Sequence, residues 1–291
     1  MTTTPSPGSG RHLPIRARRV KFTFPSGARH HHFVDNDLVM SHFVAVLSSV
    51  FPEGEDFFIR SVRNYSDQIT DPQLQQDIKG FIGQESSHKS QHRMLNERLQ
   101  AMGYPTAKID RHVKRRLSRA ERVYSTEMRL AATAALEHYT ATFAEILLND
   151  DDLLSLLDGS DVRSILLWHA FEEAEHKAVA FDVYQAVGGS ERNRVRAMRI
   201  ATTIFIIEMV LQTTRSLLRD PATYNPVRLL RSLNKFRKSP LFSRDALRRY
   251  ASYTRPGFHP NDWDSTATLE HWSDELLDAS GRPMYAEAPG G

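Results

Sequence analysis

The sequence predicts an all-α protein, a four-helix bundle with additional C-terminal helices. Three observations lead there. Long segments carry apolar residues at three-and-four spacing, the mark of one buried helical face. Strand signals are weak throughout. Two well-separated segments each place a Glu-x-x-His pair on their apolar face, Glu85 to His88 and Glu173 to His176. Four-helix metal proteins use that pattern to hold ions between helices.

The elements follow in order. Residues 1–30 read as a flexible tail, because Pro, Ser, Gly and Arg dominate them. Asp35 or Asn36 can cap a helix over about 38–50, which Pro52 and Gly54 should end. A second helix covers about 55–68. Pro72, with Asp71 as cap, opens a third that continues to Met102, before Gly103 and Pro105. A stretch rich in Ala and Leu, without Gly or Pro, spans about 118–149. Asp161 caps a helix reaching Val187, where Gly188-Gly189 stops it. Helices near 191–218 and 225–237 follow. From Pro256 the chain is rich in Pro, Gly, Asp and Trp, which predicts irregular structure. The division is a tail (1–30), a helical bundle (31–250) and an irregular extension (251–291).

Composition narrows the chemistry. The chain has 291 residues, 40% apolar and 25% charged, enough for one large core. It contains no cysteine, which excludes disulfides, iron–sulfur clusters and thiolate zinc sites. Any metal must be held by nitrogen and oxygen. The lack of cysteine also fits a reducing cytoplasm. A net charge of +3 gives no strong nucleic-acid field, and no nucleic-acid motif is present. Basic residues crowd the N-terminus (Arg11, Arg16, Arg18, Arg19, Lys21) and the 228–249 run. Solvated faces are the favoured reading, with an anionic membrane surface as the sharper one. The apolar segment 200–218 reads as a core or homodimer-interface helix. Its alternatives are a greasy substrate channel or a peripheral membrane contact.

The candidate site rests on helical faces. Glu85, His88 and His92 share a face with Ile78, Phe81, Ile82, Leu95 and Leu99. His169, Glu173 and His176 share one with Val162, Ile165, Leu166, Ala180 and Val183, while Glu172 and Glu175 point elsewhere on the wheel. A carboxylate inside an apolar stripe is costly unless something compensates it. The scheme calls for one Glu on each of two further helices. Glu137, at face spacing from Leu130, Ala134, Ala141 and Ala144, is one. Glu55, beside Phe58, Ile59 and Val62, is the other. Glu127 and Glu145 read as surface residues, and His138 as off the site. His92 reads as a lining residue. The run His30-His31-His32 adjoins the tail and reads as solvated, binding metal only adventitiously.

Several stretches resemble a bacterial family of predicted metal-dependent hydrolases with a ferritin-like di-metal site. They are Phe51-Pro52-Glu53-Gly54-Glu55, Phe81-Ile82-Gly83-Gln84-Glu85 through His88, Ala135-Leu136-Glu137-His138-Tyr139, Trp168-His169 through Glu172-Glu173-Ala174-Glu175-His176-Lys177, and Arg255-Pro256-Gly257-Phe258-His259-Pro260. The resemblance covers roughly 35–260. The local pattern His169-x-x-x-Glu173-x-x-His176 is also similar to the di-iron arylamine N-oxygenases, which implies that His169 is an additional histidine ligand.

The expected metal ligands are therefore Glu55, Glu85, His88, Glu137, His169, Glu173 and His176, around two iron ions, with manganese or zinc as alternatives. The favoured expectation is a di-iron oxygenase or oxidase. It would act on a small apolar or amine substrate with dioxygen and an electron donor. A di-metal hydrolase is the second reading. A non-catalytic metal-binding helical protein is the third.

Overall fold

Pro52 does not end the first helix. The computed structural model describes residues 14–24, 31–158, 160, 162–279 and 281–284, and in it α1 runs unbroken over Leu38–Arg63. A proline has no N–H for the carbonyl four residues back. Here that carbonyl is Ser48 O, and Asn96 Nδ2 on the next helix donates to it at 2.9 Å. The two helices expected over 38–50 and 55–68 are thus largely one. Asp37, rather than Asp35 or Asn36, caps it by accepting from Met40 N at 2.9 Å. Asp35 and Asn36 instead turn the chain with left-handed φ of 45° and 52°, which short polar side chains tolerate.

The next helix, α2, spans Pro72–Ala101. The Ala-rich stretch divides into α3 (Thr106–Val123) and α4 (Thr126–Asn149), because Ser125 Oγ caps the new helix at Met128 N. A short α5 (Asp151–Ser155) precedes α6 (Arg163–His176) and α7 (Val179–Ala186). These last two replace the single helix expected to Val187; Asp161, its expected cap, lies outside the described residues. Next come α8 (Glu191–Leu217), α9 (Pro226–Arg237) and α10 (Arg244–Ser252). The extension expected to be irregular contains α11 (Thr266–Leu276). Leu269, Trp272 and Leu276 bury one face of it against Phe171 and Leu148, and Trp272 Nε1–H donates to Leu148 O at 2.9 Å.

The bundle pairs α1 with α2, and α4 with α6 and α7. α8 covers α1 and α4, and α3 lies on α1. No β-strand occurs among the described residues, and none of their helices is long and apolar enough to cross a membrane.

Residues 14–24 correct the tail expectation. They run extended along α2, with Ile15, Arg18, Val20 and Phe22 buried. α2 side chains hold their backbone: Ser87 Oγ donates to Arg18 O at 2.8 Å and Gln91 Nε2 to Val20 O at 2.8 Å. Two glycines permit the approach. A Cβ on Gly80 would meet Ile15 O at 2.3 Å, and one on Gly83 would meet Ala17 Cβ at 2.3 Å. Residues 1–13 and 25–30 of the expected tail lie outside the described residues.

Candidate metal centre

All seven expected ligands converge inside the bundle. Glu55 comes from α1, Glu85 and His88 from α2, Glu137 from α4, and His169, Glu173 and His176 from α6; each is 5% exposed or less. Glu85 Oε1 lies 3.3 Å from both His88 Nδ1 and His176 Nε2. Glu173 Oε1 lies 2.9 Å from His169 Nε2, 3.5 Å from His88 Nδ1 and 3.6 Å from His176 Nε2. Glu137 Oε2 approaches His176 Nε2 at 3.4 Å, and Glu55 Oε1 approaches His169 Nε2 at 3.9 Å.

The hydrogen-bond network fixes which nitrogen of each imidazole faces the carboxylates. Gln84 Nε2 donates to Glu175 Oε2, so its Oε1 accepts from His176 Nδ1–H at 2.8 Å. His88 Nε2–H donates to Glu172 Oε2 at 3.0 Å. For His169 the argument runs through three residues. Ser48 Oγ–H donates to Asn96 Oδ1, so it accepts from His92 Nδ1–H at 2.9 Å. His92 Nε2 then accepts from His169 Nδ1–H at 2.5 Å. Each of the three rings thus spends one N–H outward and turns its other nitrogen toward the carboxylates. His92 orients His169 rather than merely lining the space.

Arg18 anchors the outer layer. It donates to Glu172 Oε1 at 3.0 Å and to Glu175 at 2.5 and 2.7 Å. Glu172 and Glu175 do point away from the centre, but toward a buried guanidinium. Sequence reasoning missed Arg18, because nothing local to residues 14–24 announces a partner on α6. Glu145, expected on the surface, is also buried; it pairs with Lys177 at 2.8 Å and with Arg249. His138 is off the centre as expected, donating to Arg249 O at 2.7 Å.

The inner atoms are short of positive charge. Both oxygens of Glu55, Glu85 and Glu137, with Glu173 Oε2, His88 Nδ1 and His176 Nε2, are buried without a hydrogen-bond partner among the described residues. Burial, reinforced by the facing Glu85 charge, holds Glu55 well above the usual carboxylate range. Burial pushes Glu137 up to about 8, against the pull of His176. Burial would also raise Glu173, but the facing His176, the close contact with His169 Nε2 and the nearby His88 hold it well below. Burial works against charge on His88 and His176, yet the surrounding carboxylates raise both well above the imidazole range. Four buried carboxylates in one pocket are costly without cations. The donor set fits metal ions, and protons compete for the same places.

A cavity of about 210 Å³ lies between α1, α3, α4 and α8. Its wall is almost wholly hydrocarbon, including Phe51, Phe58, Leu117, Tyr139, Phe205 and Met209, and Glu55 forms part of it. One face of the 200–218 segment therefore lines an apolar cavity. Its outer face leaves Ile206, Ile207 and Val210 exposed.

Residues 16–264 match a family described as "Predicted metal-dependent hydrolase". Searches of curated proteins and of solved structures return no match. The family match overturns the expectation of a dioxygen-activating di-iron oxygenase and favours the hydrolase reading. The local similarity to arylamine N-oxygenases is not confirmed. The place of His169 in the cluster stands on its geometry instead.

Proposed function

Because the chain belongs to the family of predicted metal-dependent hydrolases, we propose that it hydrolyses an apolar carboxylic ester at a pair of divalent cations. The cations would be held by Glu55, Glu85, His88, Glu137, His169, Glu173 and His176. One observation carries this reading: Glu55 belongs both to the carboxylate–histidine cluster and to the wall of the apolar cavity. Substrate in that cavity would therefore present its scissile bond to the cluster.

A nitrogen and oxygen donor set without thiolate suits manganese, iron or zinc. When bound, two such ions would lower the pKa of a water and polarise a carbonyl. The chain's own residues do the rest. Glu85 and Glu173 each approach more than one histidine, which suits them to bridge the pair. Glu137 serves the His176 side and Glu55 the His169 side. Glu55 makes the longest of these carboxylate–histidine approaches, 3.9 Å. As the loosest member of the set and part of the cavity wall, it would be the carboxylate best placed to accept a proton there. Phe51, packed on His92 and His169 with centroids 4.7 and 4.6 Å away, screens that side from water. The hydrocarbon wall receives the acyl or aryl part of the ester.

The test is turnover of p-nitrophenyl esters of increasing acyl length by protein loaded with manganese or zinc. Chelator-sensitive hydrolysis that improves from acetate to octanoate is expected. Loaded protein that hydrolyses none of these esters would overturn the proposal.

A further inference from the structure

A second constellation of metal-binding groups lies outside the bundle centre. Asp220 follows α8, and its Oδ1 accepts from Ala222 N at 2.8 Å. Its Oδ2 meets three imidazoles: His31 Nε2 at 3.0 Å, His32 Nε2 at 2.7 Å and His42 Nε2 at 3.0 Å. The four donor atoms all lie within 4.8 Å of one another. His32, His42 and Asp220 are buried, while the His31 side chain is 39% exposed. His42 precedes Glu55 on α1 by more than three turns, roughly 20 Å along the axis at about 1.5 Å per residue. The expectation that this histidine run is solvated therefore fails for His32, while His31 is partly exposed as well as paired with Asp220; His30 lies outside the described residues.

Proton bookkeeping separates the roles. Arg228 Nη2 can only donate, and it does so to His32 Nδ1 at 2.8 Å. His32 Nε2 therefore carries the hydrogen and gives it to Asp220. Met102 O can only accept, and His31 Nδ1 lies 2.8 Å from it. His31 Nδ1 therefore carries hydrogen, and in the neutral ring Nε2 is a lone pair facing a carboxylate oxygen. An acceptor facing an acceptor is stabilised by a cation between them, a proton or a metal ion. His42 can match it, because Ser216 Oγ lies 2.7 Å from its Nδ1 and can take that hydrogen. Tyr104 holds both rings: it stacks on His31 at 5.1 Å and lies edge-on to His42 at 4.9 Å.

We propose that His31 Nε2, His42 Nε2 and Asp220 Oδ2 bind one zinc-class divalent cation, with His32 and Arg228 orienting the carboxylate. Two nitrogens and one oxygen converging on one point match the donor preference of such an ion. A hydrogen bond behind each imidazole is the usual way to aim it. The ion would tie the segment before α1 to the end of α8, closing a long loop. Its contribution is to structure rather than to turnover.

The test counts zinc by equilibrium dialysis on the full chain without a histidine tag. His31→Ala is the primary variant, because its side chain is partly exposed and its loss leaves the core intact. Asp220→Asn is the second, and Glu137→Ala is run in parallel. His31→Ala should bind one zinc fewer per chain than the unaltered protein, and zinc should raise its melting temperature less. Glu137→Ala should keep that zinc. A His31→Ala chain that folds and binds as many zinc ions as the unaltered protein overturns the site. A deficit in Glu137→Ala alone would sink this site and leave the central one standing.

Discussion

The two histidine clusters differ in how far the groups behind their rings are themselves anchored. In the bundle centre, His88, His169 and His176 each rest on a dedicated partner, namely Glu172, His92 and Gln84. Those partners are themselves held, by Arg18, Ser48 and Glu175. At the periphery, Met102 O, Ser216 and Arg228 stand behind the three rings, one carboxylate gathers them, and one ring is partly exposed. The centre thus has the rigid outer layer that positions reacting atoms, and the periphery has the few contacts that suffice for a staple. Breaking each layer separately tests that contrast.

The largest effect belongs to the central carboxylates. Glu173→Ala removes the oxygen closest to His169 and near two further histidines. It should abolish stoichiometric metal at the centre and lower ester turnover at least a thousandfold, with most helix content kept by circular dichroism. Retention of both central ions would refute the ligand assignment.

Arg18→Ala comes next. It leaves Glu172 and Glu175 as buried charges without their guanidinium. Loss of one partner of a buried pair costs about 3–5 kcal/mol, and loss of an orienting partner weakens metal binding roughly 10–100-fold. Chelator competition and thermal melts read the two effects. The peripheral zinc should be unaffected, since His31, His42 and Asp220 make no contact with Arg18 among those described.

A smaller effect concerns pH. Glu137 is raised to about 8 in the folded chain, and His88 and His176 are raised above the imidazole range. A group whose pKa is raised by folding binds more protons folded than unfolded between its two values. Burial-lowered His92, His138 and His169 act in the opposite sense up to the ordinary imidazole pKa, so the metal-free protein should lose stability as pH rises from about 6.5 to 8. Metal binding displaces those protons, so affinity should climb over the same range. Melts of chelator-treated and zinc-loaded protein at several pH values would show opposite trends. Parallel trends would mean that the protons lie elsewhere.

Helical periodicity made the seven central residues legible. Each lies on an apolar stripe, and a carboxylate in such a stripe needs compensation. The same wheel turned Glu172 and Glu175 away from the centre, which is correct. What the wheel lacks is the neighbour on that side, the segment carrying Arg18, 154 and 157 residues away in sequence. His32 was misread for the same reason, since Asp220 lies 188 residues beyond it. Pro52 misled differently. Its local rule holds, but Asn96 relieves the orphaned carbonyl from another helix. Local pattern reveals faces, and only the fold reveals what covers them.

The smallest effect has a sign that discriminates. In an exposed helix interior, Gly→Ala stabilises by about 1 kcal/mol through backbone entropy. Gly80 and Gly83 sit inside α2, so that gain is available to both. Against it stands the segment that carries Arg18: an added Cβ would meet Ile15 O or Ala17 Cβ at 2.3 Å. A backbone carbonyl yields less readily than a methyl group, so Gly80→Ala should destabilise more than Gly83→Ala. Both should weaken central metal binding a few-fold, because a displaced segment withdraws Arg18 from Glu172 and Glu175. The peripheral zinc should bind both variants as it binds the unaltered chain. Stabilisation of both variants would show that residues 14–24 do not press on α2, and the outer layer would lose its anchor.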